Sequence, residues 1–311
     1  MSMTVPKPII KRIIHNLIHG EDYRVEVVEL INAEFFQYAV EFFKKVVDAK
    51  LANQNIDGDW YKREFLNTDL SSEDIAINAG LNKKTISNMY NTANREVVIE
   101  ASNLHYDHLQ EIIQALLESQ DGLDITLTIK FNDVSVDLTI NESLIVINTL
   151  AVKRAALRGG LWSAAGKGVE GPLMLTLCKL FGVDEKNYDA ISKGDVDTGE
   201  EDEELVFTRE IDFFLINKDK RYKCEVKLMG KGNPESADAV IARDSSVFIA
   251  DKLSETNRRQ LNQRKVEWVE LRSDVGYKKF DNILSSLKIP HKDFKGELDV
   301  RLEEVFTELL D

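Results

Sequence analysis

Apolar positions recur at helical spacing over residues 9–20 and 25–50. In the second stretch Val28, Leu30, Ile31, Phe35, Phe36, Val40, Phe42 and Phe43 make a broad apolar face. A face this wide predicts core residues of an α-helical N-terminal region. Residues 93–119 keep the helical period. The period then changes to two over residues 124–140, DITLTIKFNDVSVDLTI, where Asn132 and Asp133 mark a hairpin turn. The switch sets a boundary near residues 119–124, dividing the chain into a helical region, 1–120, and a second domain, 121–311.

Helical spacing resumes at residue 142 and is expected to stop at Gly159–Gly160. The glycines of the following LWSAAGKGVEG read as a loop, and residues 170–181 as an apolar helix ended by Gly182. Beyond an acidic loop at 195–204, runs at 205–207, 211–216 and 222–229 read as strands, with NKDK as the turn between the last two. GKGNPES reads as loop, 235–243 as helix, 247–250 as a short buried strand, SETNRRQLNQRK as helix and VEWVEL as strand. From residue 165 the order is helix, three strands, helix, strand, helix, strand. That order predicts an α/β fold.

Residues 72–91, SEDIAINAGLNKKTISNMYN, carry a sharper pattern. Ala76 suits a close helix crossing and Gly80 a tight turn, while Ile86 and Met89 supply apolar positions that lock a second helix. The pattern resembles a helix-turn-helix. Its second helix presents Lys83, Lys84, Thr85, Ser87 and Asn88, residues suited to phosphates and base edges. An ordinary helical hairpin with a polar outer face has the same pattern.

The net charge of −14 argues against coating nucleic acid by bulk charge, but not against a local basic cleft. The two cysteines, Cys178 and Cys224, sit in apolar runs and lack metal-site spacing, which fits a reducing cytoplasm. No unbroken apolar run is long enough for a spanning helix, so no membrane partner is expected. The five histidines are scattered, and no His or Cys cluster is expected to hold a metal.

The candidate chemistry lies in REIDFFLINKDKRYKCEVKLMG, residues 209–230. Strand side chains alternate, so Glu225 and Lys227 share a face while Cys224, Val226 and Leu228 take the other. The short turn makes the Asp212 strand a neighbour. Charges in apolar strands are costly unless paired. Two carboxylates at one point repel unless a cation joins them, and Mg2+ favours such an oxygen-rich setting, to which the Val226 carbonyl can add. Lys227 is then placed to orient or help deprotonate a water. A surface ladder of ion pairs is the bland alternative.

Asp212 with Glu225–Val226–Lys227 resembles the PD-(D/E)XK nuclease superfamily, although Ile211 stands where that motif has proline. The resemblance covers about residues 150–275 and implies a mixed central sheet flanked by helices. It also implies an assisting acidic residue on the preceding helix, a place Glu170 fits. WSAAGKGVEGPL, EIDFFL and CEVKLMGKGNPESAD are similar to the CfrBI-like group of type II restriction endonucleases. That likeness implies a prokaryotic, cytoplasmic, Mg2+-dependent homodimer cutting double-stranded DNA to 5′-phosphate ends at a short palindrome such as CCWWGG. Lys167, Lys231 and Asn233, in glycine-containing stretches, are further DNA-binding candidates. A repair or mobile-element nuclease with the same core, a helix-turn-helix regulator without enzymatic chemistry and a protein-interaction domain are the alternatives.

Overall fold

The computed structural model describes residues 4–119, 126–192, 211–228 and 244–310. The chain divides into two compact units, one of residues 29–160 and one of residues 3–28 with 161–311. Both boundaries fall inside long helices, α2 (Arg24–Leu51) and α7 (Ile140–Leu180).

The first unit holds most of α2, then α3 (Gly58–Phe65), α4 (Ser72–Asn78), α5 (Lys83–Tyr90), α6 (Arg95–Ser119), and the antiparallel hairpin of β1 (Leu127–Phe131) and β2 (Val134–Leu138). The hairpin turns at Asn132–Asp133 as expected, with Asn132 at positive φ. The expected division at 120/121 does not follow the packing. Leu138, Ile145 and Val146 share one core with Phe42, Trp60, Tyr61 and Tyr106, so the hairpin and the start of α7 belong with the helices. On α2 the inward stripe is Ile31, Ala39, Phe42, Val46 and Ala49, whereas Val28, Phe36 and Val40 are exposed. An apolar face wider than one helix side cannot be wholly buried against one core.

Two short helices, α4 and α5, form within residues 72–90. Ser71 caps α4, and Gly80 at φ +82 ends it with Leu81 N–H donating to the Ala76 carbonyl. Asn82 caps α5 through the Thr85 N–H. Ile86 is buried, but Met89 is exposed, so it does not lock the second helix.

The second unit contains α1 (Lys7–Ile18), the rest of α7 and a five-stranded sheet. Its strands are β3 (Tyr188–Ser192), β4 (Ile211–Asn217), β5 (Lys220–Lys227), β6 (Val247–Ala250) and β7 (Glu267–Glu270), paired in that order. The β3, β4 and β5 pairings are antiparallel, and β5, β6 and β7 run parallel, so the sheet is mixed. Helix α8 (Glu255–Gln263) links β6 to β7, followed by α9 (Lys279–Ser286) and α10 (Leu298–Leu310). β3 was not expected. The expected strand at 205–207, the acidic loop, the loop after Met229 and the helix at 235–243 lie outside the described residues. No helix among the described residues is long and apolar enough to cross a membrane.

Helix α7 corrects the expected stop at Gly159–Gly160 and the expected loop after it. Leu157, Leu161, Ala165, Val169, Leu173 and Leu177 are all buried at four-residue spacing. That continuous stripe outweighs the poor helix propensity of the glycines. A Cβ added at exposed Gly159 meets nothing within 4 Å. Gly159→Ala is therefore expected to raise the unfolding free energy by about 0.5–1 kcal/mol. Thermal denaturation followed by circular dichroism checks this, and a lowered melting temperature would contradict a continuous helix there.

Candidate active site

β5 is the centre strand of the sheet, with hydrogen-bonded neighbours on both sides. The two-residue turn at Lys218–Asp219, with Lys218 at φ 53, holds β4 against it. The ladder between them starts at Phe213↔Cys224. Asp212 immediately precedes that pair and Glu225 immediately follows it, so the strand backbones bring these two positions to the same end of the ladder. On its other edge β4 pairs Asp212 with Ile191 of β3.

Three charged side chains converge at the end of β5. The Lys227 Nζ lies 3.2 Å from a Glu225 oxygen and 3.3 Å from a Glu170 oxygen of α7. The Glu225 side chain is only 8% exposed and that of Glu170 only 14%. An exposed ladder of ion pairs would leave the carboxylates in water, so this burial separates the cluster from the bland reading. One ammonium beside two screened carboxylates makes an oxygen-rich centre. Its chemistry fits a hard divalent cation such as Mg2+.

The opposite face of β5 is core. Cys224 and Val226 are buried, and Val226 pairs with Ile249 of β6. Burial pushes the Cys224 thiol up to about 12 and the fully buried Cys178 thiol well above its usual range. Both cysteines are therefore neutral core residues, as the sequence indicates.

Other candidates are placed differently. Lys167 is exposed on α7, one turn before Glu170, rather than in the expected glycine loop. On α5, Lys83, Lys84, Ser87 and Asn88 are exposed. Thr85 is half-buried, and its hydroxyl donates to Asn82, so it serves the helix cap. Lys231 and Asn233 lie outside the described residues. On α8, Arg258 bonds Glu270 at 2.6 Å and Arg259 bonds Glu255. Trp268 donates to Asn262 and lies under Lys279, and Trp162 packs edge-on against Tyr23.

One cluster runs against the expectation that the histidines are scattered. His15 and His19 meet Asp299 in the second unit. Their four-residue spacing, on the last turn of α1 and its C-cap, is a visible signal, but the carboxylate comes from the far end of the chain.

The family model described as CfrBI restriction endonuclease matches residues 7–258. No curated protein and no solved structure matches the chain.

Proposed function

The chain belongs to the CfrBI restriction endonuclease family, a nuclease family that hydrolyses DNA phosphodiester bonds, and from that premise we propose that its chemistry is carried out by a PD-(D/E)XK-type site at the end of β5. The observation carrying this reading is the screened cluster of Glu225, Lys227 and Glu170. Asp212 and Glu225, with the Val226 carbonyl, would hold Mg2+. When bound, the ion offsets negative charge on the phosphate and favours the deprotonated form of a nearby water. Lys227 orients that water for attack on phosphorus and stabilises the charge that grows there. Glu170 holds the ammonium in place, and the 3′ oxygen leaves, giving 5′-phosphate ends.

The second unit is the nuclease unit in this reading. The exposed residues of α5, Lys83, Lys84, Ser87 and Asn88, contact duplex DNA, with Lys167, Lys231 and Asn233 as further phosphate contacts. A palindromic target has two-fold symmetry, so one site per chain calls for a homodimer. Family membership sets aside the regulator without nuclease chemistry.

The test incubates the purified protein with long duplex DNA and Mg2+, beside EDTA and Asp212→Ala controls. A discrete set of fragments in the first reaction alone is the expected result. Folded protein that cuts nothing with Mg2+ or Mn2+ refutes the proposal. Cleavage dependent on DNA ends or branches points instead to a repair or mobile-element enzyme.

A further inference from the structure

We propose that His15, His19 and Asp299 form a second metal site, one for a zinc-class transition metal, that ties α1 to α10. Packing brings the two helices together. Ile10, Ile13, Ile14 and Leu17 are the buried face of α1, and Leu302, Val305, Phe306 and Leu310 that of α10. Lys11 bonds Glu303 at 2.6 Å and lies over the Phe306 ring, which fixes how α1 and α10 meet. His15 and His19 are four residues apart, so both imidazoles leave the end of α1 on one side. Gly20, at φ +74, ends the helix with Glu21 N–H donating to the Asn16 carbonyl, and so holds His19 at the helix end. A Cβ at Gly20 would lie 3.2 Å from the Ser273 carbonyl oxygen, so this turn is also packed from outside.

The two Nε2 atoms converge on one carboxylate oxygen. His19 lies 2.7 Å and His15 3.4 Å from Asp299 Oδ1, with the rings 4.4 Å apart. One ligand atom from each residue lies within 4.8 Å of the other two. Ligand atoms around a tetrahedral zinc ion are roughly 3.3 Å apart, given bonds of about 2.0–2.1 Å. The donors therefore need only small side-chain adjustments to take up an ion between them. The His19–Asp299 hydrogen bond is replaced when the ion binds. Two imidazoles and one carboxylate select Zn2+, Co2+ or Ni2+ over Mg2+. All three side chains are partly exposed, which leaves an entry path and positions for water. The site uses none of the residues proposed for catalysis, so its test stands apart from the nuclease reading.

The test titrates chelator-treated, full-length protein with Co2+, read by visible absorption, and with Zn2+, read by calorimetry. Glu225→Gln serves as the background, to weaken binding at the other centre. One saturable equivalent per chain is expected, not displaced by millimolar Mg2+. His19→Gln and Asp299→Asn should each weaken binding at least about tenfold. Zn2+ should raise the melting temperature of the background protein and not of these variants. Circular dichroism of the metal-free variants checks that they fold. Absence of saturable binding by folded protein, or equal affinity in the variants, overturns the proposal. Variants that lower the melting temperature equally with and without Zn2+ mark a plain hydrogen-bonded contact and also overturn it.

Discussion

Lys227→Ala is expected to slow DNA cleavage by about 10³-fold or more while leaving DNA binding within a few-fold of the parent. The ammonium is the positive partner of both Glu225 and Glu170 in the cluster. Removing it takes away the group proposed to orient the water. It also removes a cation that two screened carboxylates share. Like charges at short range favour any cation that can join them. Lys227→Ala should therefore lose stability in EDTA and regain more of it on adding Mg2+ than the parent does. The paired readout separates a catalytic group from a structural one. Single-turnover cleavage, filter binding and melting temperatures with and without Mg2+ provide it. A variant that cuts at the parent's rate would remove Lys227 from the mechanism and with it the proposed site.

The second large effect is structural and lies in the first unit. Glu142 stands in the first turn of α7 with its side chain 6% exposed. Its carboxylate accepts the Thr139 and Ile56 N–H groups and pairs with Lys50 at 2.9 Å. Glu142 N–H lies 3.4 Å from the Thr139 hydroxyl oxygen, which completes a reciprocal cap. One side chain thus joins the α7 start, the end of α2 and the segment before α3. Glu142→Ala strands two backbone donors and a lysine at once, at an expected cost of about 3 kcal/mol.

The pH dependence of this contribution follows from the same contacts. Burial alone raises the Glu142 pKa, but the Ile56 and Thr139 N–H groups and the Lys50 ammonium outweigh it and hold the carboxyl below its usual range. A depressed folded-state value means the stabilisation is complete above about pH 5. It is lost as pH falls through the folded value. The stability gap between parent and Glu142→Ala, measured by urea denaturation, should therefore be widest near neutrality and narrow on acidification. A gap that grows toward acid pH would contradict this account.

Local patterns determined much of this protein. The two-residue turns at Asn132–Asp133 and Lys218–Asp219, the stop at Gly182, the α4–α5 pair and the alternation that sets Glu225 and Lys227 on one face are all legible without coordinates. Each depends on groups within a few residues of one another, where backbone geometry leaves few choices. Tertiary packing decided the rest. It carried α7 straight through Gly159 and Gly160, because a long buried stripe outweighs two weak helix formers. It drew the 127–138 hairpin into the helical core, turned Met89 outward, and set Asp299 beside two histidines some 280 residues earlier. It also screened Glu170 and Glu225 around one ammonium. Sequence spacing specifies which side chains share a face, but burial and long-range partners depend on which faces meet, and that is set by the free energy of the whole packed chain.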